Sequence, residues 1–462
     1  MKDRALATKS NACGRDSPLW LLIPAIVGSY LLFSLLKYGI SPLADNPGFA
    51  LLGSNRIPGF YDLKWILSYS ACEGSLRELL ATNTSCFGFA NPHYPALSIL
   101  LGRWLGMGPQ DAAWAGILSG VGVMAVLAHV SWLCTTRLLT WSVTISLLWL
   151  SFPLQFLLER GNIDSIIFLL TALFCLVVWQ RGILSVVLAN TIAGLAIAIK
   201  IYPVLGIIGW LIYSIRAPMN QKRKKSLTRS LLLTTPISLV FTYLSIFSPE
   251  KITTAWGGLN SHGLTAMGYT NTFLLDEFGY QLGKISIRTL IVFKVMSLLI
   301  GITLGLASLK NISWPEKHKF SRANLYAKTL IMISSAIGVG CYFISIGYDY
   351  RLIFILPLFA VVVSNLLDNS SLTSKSRWFL ALLATASIYI FALPVAHNID
   401  SKTLRFMELL DESILSPFLF AGLIAVWIRL YLRETGHVPV QAETVMAIEE
   451  ESRREAGYQR SS

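Results

Sequence analysis

Residues 113–134 read AWAGILSGVGVMAVLAHVSWLC, an apolar run that contains no Lys, Arg, Asp or Glu. A helix needs about 20 such residues to cross the hydrocarbon core of a bilayer. Similar blocks recur along the chain, and only 14% of its residues are charged, compared with about 25% in soluble proteins. The mean hydropathy is +0.59. We therefore predict an all-α polytopic membrane protein.

The apolar blocks predict about 12 transmembrane helices. The predicted spans are residues 19–36, 113–134, 138–158, 163–179, 183–199, 203–215, 230–247, 289–309, 329–346, 352–367, 378–394 and 414–432. We interpret the first as an uncleaved span and not as a signal sequence, because it is long and no small-residue cleavage site follows it closely.

Basic residues are concentrated in every second connection, most densely at Lys222-Arg223-Lys224-Lys225. The positive-inside rule therefore places the loop 216–229 and both termini in the cytoplasm. The same rule explains the net charge of +13 without a nucleic-acid partner. We predict one integral-membrane domain at 1–432, outer loops at 40–95 and 248–287, and a polar cytoplasmic tail at 433–462.

The first outer loop contains Cys72 and Cys86. In an oxidising compartment these two thiols can form a disulfide that stabilises the loop by about 3 kcal/mol, and the alternative is two unpaired thiols. The cysteines of the chain show no metal-ligand spacing. The sequence thus predicts no cofactor, and it leaves open whether a metal ion assists at a phosphate. After this loop, residues 96–105 are too short to span and predict a surface or re-entrant helix.

The same loop contains Gly59-Phe60-Tyr61-Asp62-Leu63-Lys64-Trp65. Leu63, Ile66 and Leu67 follow Asp62 at helical spacing, which is typical of a helix with one face in the lipid headgroups. A carboxylate at the first turn of such a helix can take a proton from a polar acceptor. The simpler interpretation is that Asp62 caps the helix, since Asp is a favoured N-cap residue.

Further polar residues stand at the ends of spans that the alternation places outside. They are Glu159, Arg160, Asn162, Asp164, Lys200, Tyr202, Tyr348, Asp349 and Arg351, with His262 in the second outer loop. Charges that merely snorkel to the headgroups are common at span ends. Charges within or against apolar segments are costly, however, and usually mark a site.

The residue types suit a phosphate-bearing lipid. Arg160, Lys200 and Arg351 can bind phosphate oxygens. Hydroxyl groups of the sugar and the acceptor can hydrogen-bond to the other polar residues: Glu159, Asn162, Asp164, Tyr202, Tyr348, Asp349 and His262. The sequence has no Gly-rich phosphate loop, which argues against a soluble nucleotide-sugar donor.

Four segments resemble, in this order, the GT-C superfamily of integral-membrane glycosyltransferases. They are Tyr61-Asp62, Arg160-Gly161-Asn162, residues 194–203 ending in Lys200-Ile201-Tyr202-Pro203, and Tyr348-Asp349-Tyr350-Arg351-Leu352. The resemblance covers roughly residues 59–358 and is strongest to the polyprenol-phosphate-mannose-dependent α-mannosyltransferase-like proteins.

This resemblance implies a sugar taken from a polyprenyl phosphate at the outer face, with an acid of the first outer loop as general base. That role corresponds to Asp62. Many GT-C enzymes have two neighbouring acids in this loop, whereas Tyr61-Asp62 supplies one; Asp45 and Glu73 are the other acids nearby.

We therefore expect a glycosyltransferase that moves mannose or another hexose to a glycan or glycolipid acceptor at the outer face of a bacterial plasma membrane. A transporter or flippase for a lipid-linked or polar solute is the alternative from a different class, although no internal repeat is evident. A polymerase or ligase that uses lipid diphosphates would share the topology and the outer basic residues.

Overall fold

A computed structural model describes residues 18–40, 60–72, 96–217, 219–245, 261–262, 284–314, 322–344, 347–392 and 414–433. Within these ranges the regular structure is almost entirely helical, as predicted. The helices are α1 (Leu22–Ile40), α2 (Tyr61–Ala71), α3 (Ala96–Trp104), α4 (Ala112–Cys134), α5 (Leu138–Leu150), α6 (Phe152–Arg160), α7 (Asp164–Val177), α8 (Ile183–Ile199), α9 (Val204–Ser214), α10 (Gln221–Ser245), α11 (Lys284–Ser308), α12 (Arg322–Ile344), α13 (Leu356–Asp368), α14 (Ser374–Ala392) and α15 (Ser416–Arg433). Three 3-10 helices, Pro18–Leu21, Pro109–Asp111 and Asp349–Ile355, complete the helical set.

Five stretches within the described ranges are long and apolar enough to cross a membrane: Pro109–Cys134, Ile291–Ser308, Ala323–Phe343, Arg351–Asp368 and Ser416–Arg433. A sixth is possible if α5 and α6, which are bent by 48° relative to each other, form one broken span. Several other apolar helices, such as α8 and α9, are shorter. The chain is a multi-pass helical membrane protein, and the number of about 12 spans stays a prediction.

The break between α5 and α6 has a local cause. Ser151 is in an extended conformation, and Pro153 occupies the first turn of α6, where its missing N–H costs no hydrogen bond. Helix α6 ends at Gly161, whose left-handed φ of 56° is easily adopted by glycine. The predicted single span 138–158 is thus two helices, and the second ends at the polar residues 159–164.

Helix α2, in the predicted first outer loop, packs against α3, which follows that loop, and α2 also contacts α4 and α6. Most of α2 is buried, including Asp62, Leu63, Ile66 and Tyr69. The face with Leu63, Ile66 and Leu67, which the sequence predicted to lie in the lipid headgroups, is instead packed against protein, whereas Tyr61, Lys64 and Trp65 on the other face are partly exposed. Helix α3 coincides with the short helix predicted at 96–105, and it bears the exposed Trp104.

The only strands among the described residues are β1 (Ser261–His262) and β2 (Gly347–Tyr348), which pair antiparallel. His262 lies opposite Gly347, and Ser261 lies opposite Tyr348. This short pairing joins residues 261–262 to the segment that leads into the 3-10 helix Asp349–Ile355.

Candidate active site

Asp62 is 3% exposed and lies in the first turn of α2. Its carboxylate accepts one hydrogen bond from Arg160 Nη2 on Oδ1 and one from Asn162 Nδ2 on Oδ2, both at 2.5 Å. The N-cap position of α2 belongs to Phe60, and no side chain caps the helix. The capping interpretation is therefore wrong, since the carboxylate is directed at residues that lie 98 and 100 positions away in sequence.

The turn between α6 and α7 supplies both partners of Asp62. Arg160 is the last residue of α6, Gly161 reverses the backbone, and Asn162 follows at once. Asn162 Oδ1 accepts the backbone N–H of Asp164 at 2.9 Å, which holds the amide so that its NH₂ group points to Asp62. A side chain of this kind commonly satisfies an N–H at the start of a helix.

Asp164, at the start of α7, is fully buried and lies between two cations. Its Oδ1 forms an ion pair with Lys200 Nζ, and its Oδ2 lies 3.7 Å from Arg351 Nε. Lys200 Nζ also lies 3.4 Å from Asn162 Oδ1, so Asn162 joins the two acids into one network. Three separate segments of the chain, which contain residues 160–164, Lys200 and Arg351, therefore meet here with α2.

Lys200 ends α8 in an extended conformation outside the helix, and it is 9% exposed. Burial lowers the pKa of its ammonium, and the neighbouring Asp164 opposes that shift. Arg351 and Lys200 lie over the ring of Tyr202, at 5.2 Å and 5.7 Å from its centroid. The Lys200 end of the network is consequently rich in positive charge around an aromatic platform.

Glu159 is 3% exposed, and its Oε2 has no hydrogen-bond partner among the described residues. The carboxyl interacts electrostatically with Arg160 and Asp62. A second acid beside Asp62 thus comes from the end of α6. Asp45, Glu73 and Glu78, the other acids of residues 40–95, lie outside the described residues.

Other predicted site residues are located less completely. The backbone pairing of β1 and β2 brings His262 and Tyr348 close in space, and Asp349 begins the 3-10 helix that contains Arg351. The side chains of His262, Tyr348 and Asp349 lie outside the described part.

Cys72 is disulfide-bonded, and Cys86 lies outside the described residues, so the pairing of these two cysteines stays a prediction. No group of three or more His, Cys, Asp or Glu gathers as metal ligands within the described ranges.

Sequence reasoning missed Phe60. It is the one non-glycine residue with positive φ in the described chain, at φ 59° and ψ 31°, and its side chain is 1% exposed. Its N–H donates to the Glu159 carbonyl at 2.7 Å. No property of Phe in the sequence indicates a left-handed backbone, because asparagine, aspartate and glycine are the types that favour it.

A small apolar crevice lies between α7, α8, α9 and α12. Its lining includes Leu170, Phe174, Ala193, Ala196, Pro203 and Ile337. Pro203 is three residues beyond Lys200, so the crevice begins next to the positively charged end of the network.

Residues 157–282 match the model of a family described as Mannosyltransferase (PIG-M). The match includes the turn between α6 and α7 and Lys200, whereas Asp62 and Arg351 lie outside it. No curated protein matches the sequence. Among solved structures, ArnT from Cupriavidus metallidurans in the apo state shares 14% identity over 91% of this chain and 77% of that chain, with a TM-score of 0.36.

A TM-score of 0.36 is too low to carry an argument about fold or function. The family match stands without it and covers the residues that form the centre of the network. It confirms the predicted resemblance to integral-membrane mannosyltransferases of the GT-C superfamily. The chain is accordingly a membrane glycosyltransferase.

Proposed function

We propose that this glycosyltransferase moves mannose or another hexose from a polyprenyl-phosphate donor to a glycan or glycolipid acceptor, with Asp62 as general base. The reaction takes place at the outer face of a bacterial plasma membrane. The observation that carries the proposal is the network in which two buried carboxylates and three cations converge from four separate segments of the chain.

The network has two ends of different character. Asp62 and Glu159 form an acidic end, whereas Lys200 and Arg351 with Tyr202 form a basic end. We assign the acceptor to the acidic end and the donor phosphate to the basic end, with Arg160 between them. Asn162, Asp164, Tyr202, Tyr348, Asp349 and His262 are the proposed partners of sugar and acceptor hydroxyls.

Asp62 can act as a base although both of its oxygens already accept hydrogen bonds. A carboxylate has about four lone-pair positions, so an acceptor hydroxyl can donate to Asp62 without displacing Arg160 or Asn162. Transfer of that proton to Asp62 accompanies formation of the new bond from the acceptor oxygen to the anomeric carbon. The bond from that carbon to the phosphate oxygen breaks, and the lipid phosphate leaves with the electron pair.

The negative charge that develops on the leaving phosphate is stabilised by Lys200 and Arg351. A phosphate favours the charged form of Lys200 in the same sense as Asp164 does. Displacement in one step, with a single base and no covalent intermediate, inverts the anomeric centre; this follows by analogy with glycosidases.

The apolar crevice supports a lipid-linked donor. Its lining includes Pro203, three residues beyond Lys200, together with apolar residues of α7, α8, α9 and α12. Basic residues next to apolar helix surfaces suit a ligand with a phosphate head and a prenyl chain better than they suit a soluble sugar nucleotide.

The test compares purified wild type with Asp62→Asn in lipid, using radiolabelled polyprenyl-phosphate sugars and an acceptor extract. We expect Asp62→Asn to lower the transfer rate by about 10²- to 10⁴-fold, the usual contribution of a general base. Asp111→Asn is the matched control, because Asp111 forms a local bond to the Gly108 N–H outside the network. Wild-type transfer by Asp62→Asn would refute the base, and transfer only from a diphosphate-linked donor would refute the donor class.

A further inference from the structure

Phe60 adopts a backbone conformation that is uncommon for a residue with a side chain of its size. Its φ of 59° and ψ of 31° are left-handed, and bulky residues rarely remain there unless the surrounding structure holds them. The Phe60 N–H donates to the Glu159 carbonyl, and its own carbonyl accepts the Lys64 N–H at 2.8 Å, the first helical bond of α2. Phe60 therefore joins the beginning of α2 to the end of α6.

The ring of Phe60 packs closely against two glycines. A Cβ atom on Gly116 of α4 would lie 2.3 Å from Phe60 Cδ1 and 2.5 Å from Cε1. A Cβ atom on Gly161 would lie 2.9 Å from the ring and 3.0 Å from Phe60 Cα. Since real Cβ atoms do not approach other atoms so closely, the Phe60 ring can occupy this position only because residues 116 and 161 both lack a side chain.

The contact between Phe60 and Gly161 lies next to the residues that bond to Asp62. Gly161, against which Phe60 packs, lies between Arg160 and Asn162, the two residues that bond to the Asp62 carboxylate. Asp62 follows Phe60 by two residues at the start of the same helix. The contact of residue 60 with residue 161 thus sets the spacing of the hydrogen bonds made by residue 62.

We infer that Phe60 is a positioning residue for the base. Its left-handed backbone and the packing of its ring against Gly116 and Gly161 keep the Asp62 carboxylate hydrogen-bonded to Arg160 and Asn162 in the geometry that transfer requires. The inference rests on the proposed function in so far as Asp62 is the base. A ring that only filled the core would need neither the left-handed backbone nor the bond to the Glu159 carbonyl.

The first experiment displaces the Phe60 ring by a substitution in α4, without changing any residue of the network. Gly116→Ala is expected to lower kcat by about 100-fold, because a displacement of about 1 Å at a reacting group has that effect, while KM for the donor stays unchanged. The matched control is Gly122→Ala in the same helix, whose Cβ would meet only the flexible Leu169 side chain at 3.1 Å. In the Asp62→Asn background, Gly116→Ala should cause no further loss, since the group it displaces is gone.

The second experiment needs no activity. Asp62→Cys places a thiol at a site that is 3% exposed, and a small polar maleimide should label it slowly. Adding Gly116→Ala should speed the labelling at least several-fold, whereas adding Gly122→Ala should not. Chains without the added cysteine give the background.

The outcomes separate this inference from the proposed function. Faster labelling together with the loss in kcat supports the inference. Unchanged labelling, an unchanged kcat, or a loss that is equally large in the Asp62→Asn background each overturns it. If wild type transfers no sugar or Asp62→Asn transfers at the wild-type rate, the proposed function fails, and the labelling still reports whether Phe60 holds residue 62.

Discussion

Asp164 shows most clearly how single residues depend on one another in the network. Its carboxylate is fully buried and pairs with both Lys200 and Arg351. Removing one partner of a buried ion pair leaves an uncompensated charge, which is more costly than the pair itself is favourable. The proposed donor would bring a second anion to the same two cations.

This arrangement gives the first prediction. Asp164→Asn should lower the free energy of unfolding by about 3–5 kcal/mol, because the buried Lys200 and the partly buried Arg351 lose this carboxylate. Polyprenyl phosphate should then raise the unfolding temperature of this variant more than that of wild type, since its phosphate replaces the missing charge. Thermal unfolding in detergent, with and without the lipid, measures both effects.

The control for this measurement is Asp368→Asn. Asp368 ends α13 and accepts hydrogen bonds from Thr136 and Thr140, away from the network. Its loss should leave the lipid-dependent shift at the wild-type value. An equal lipid-dependent shift in Asp164→Asn and wild type would contradict the assignment of phosphate to Lys200 and Arg351.

At this scale the sequence predicted which residues gather but not how they pair. The cost of charge beside apolar segments was enough to single out Glu159, Arg160, Asp164 and Lys200, and the helical pattern after Asp62 singled out that acid. Arg160, predicted to bind phosphate, donates to Asp62 in the structure. Such pairing depends on the direction of each side chain after α6 and α7 meet at Gly161, and no local pattern specifies it.

At the scale of elements, hydropathy predicted where helices lie better than what they touch. The span predicted at 289–309 corresponds to α11, yet only the structure shows that α11 packs on α15. Gly301 and Gly305 face Ala421 and Ala425, and a Cβ on either glycine would lie 2.6 Å or 2.5 Å from the opposing alanine Cβ. Small residues four apart allow membrane helices to approach closely.

The second prediction concerns this helix pair. Gly305→Leu should destabilise the protein by about 1–3 kcal/mol, because the new side chain overpacks the contact with Ala425. Ala307→Leu makes a comparable increase in size at an exposed position of the same helix and should have little effect. Thermal unfolding of the two variants in one detergent makes the comparison, and equal stabilities would show that the interface does not depend on Gly305.

For the whole molecule, the structure separates two ends of the helical bundle. The network lies at the end where α8 finishes and α9 begins. At the opposite end, Arg216 lies over the Tyr431 ring of α15, and Arg223 donates to the Val178 carbonyl just beyond α7. The basic loop predicted to be cytoplasmic is therefore on the far side of the helices from Asp62, as the alternation of charge requires.

This separation yields the final prediction, which concerns sidedness. Gln110 is exposed and precedes α4, whose Gly116 touches Phe60, while Asn220 is exposed and precedes the basic start of α10. A cysteine at Gln110 should react with an impermeant maleimide on intact cells, and a cysteine at Asn220 should react only after permeabilisation. The described native cysteines outside the disulfide are buried, so protein without an added cysteine serves as the background control for labelling. Labelling of both positions from one side would contradict the arrangement of the two ends, and the reverse pattern would place Asp62 in the cytoplasm and overturn an outer-face reaction.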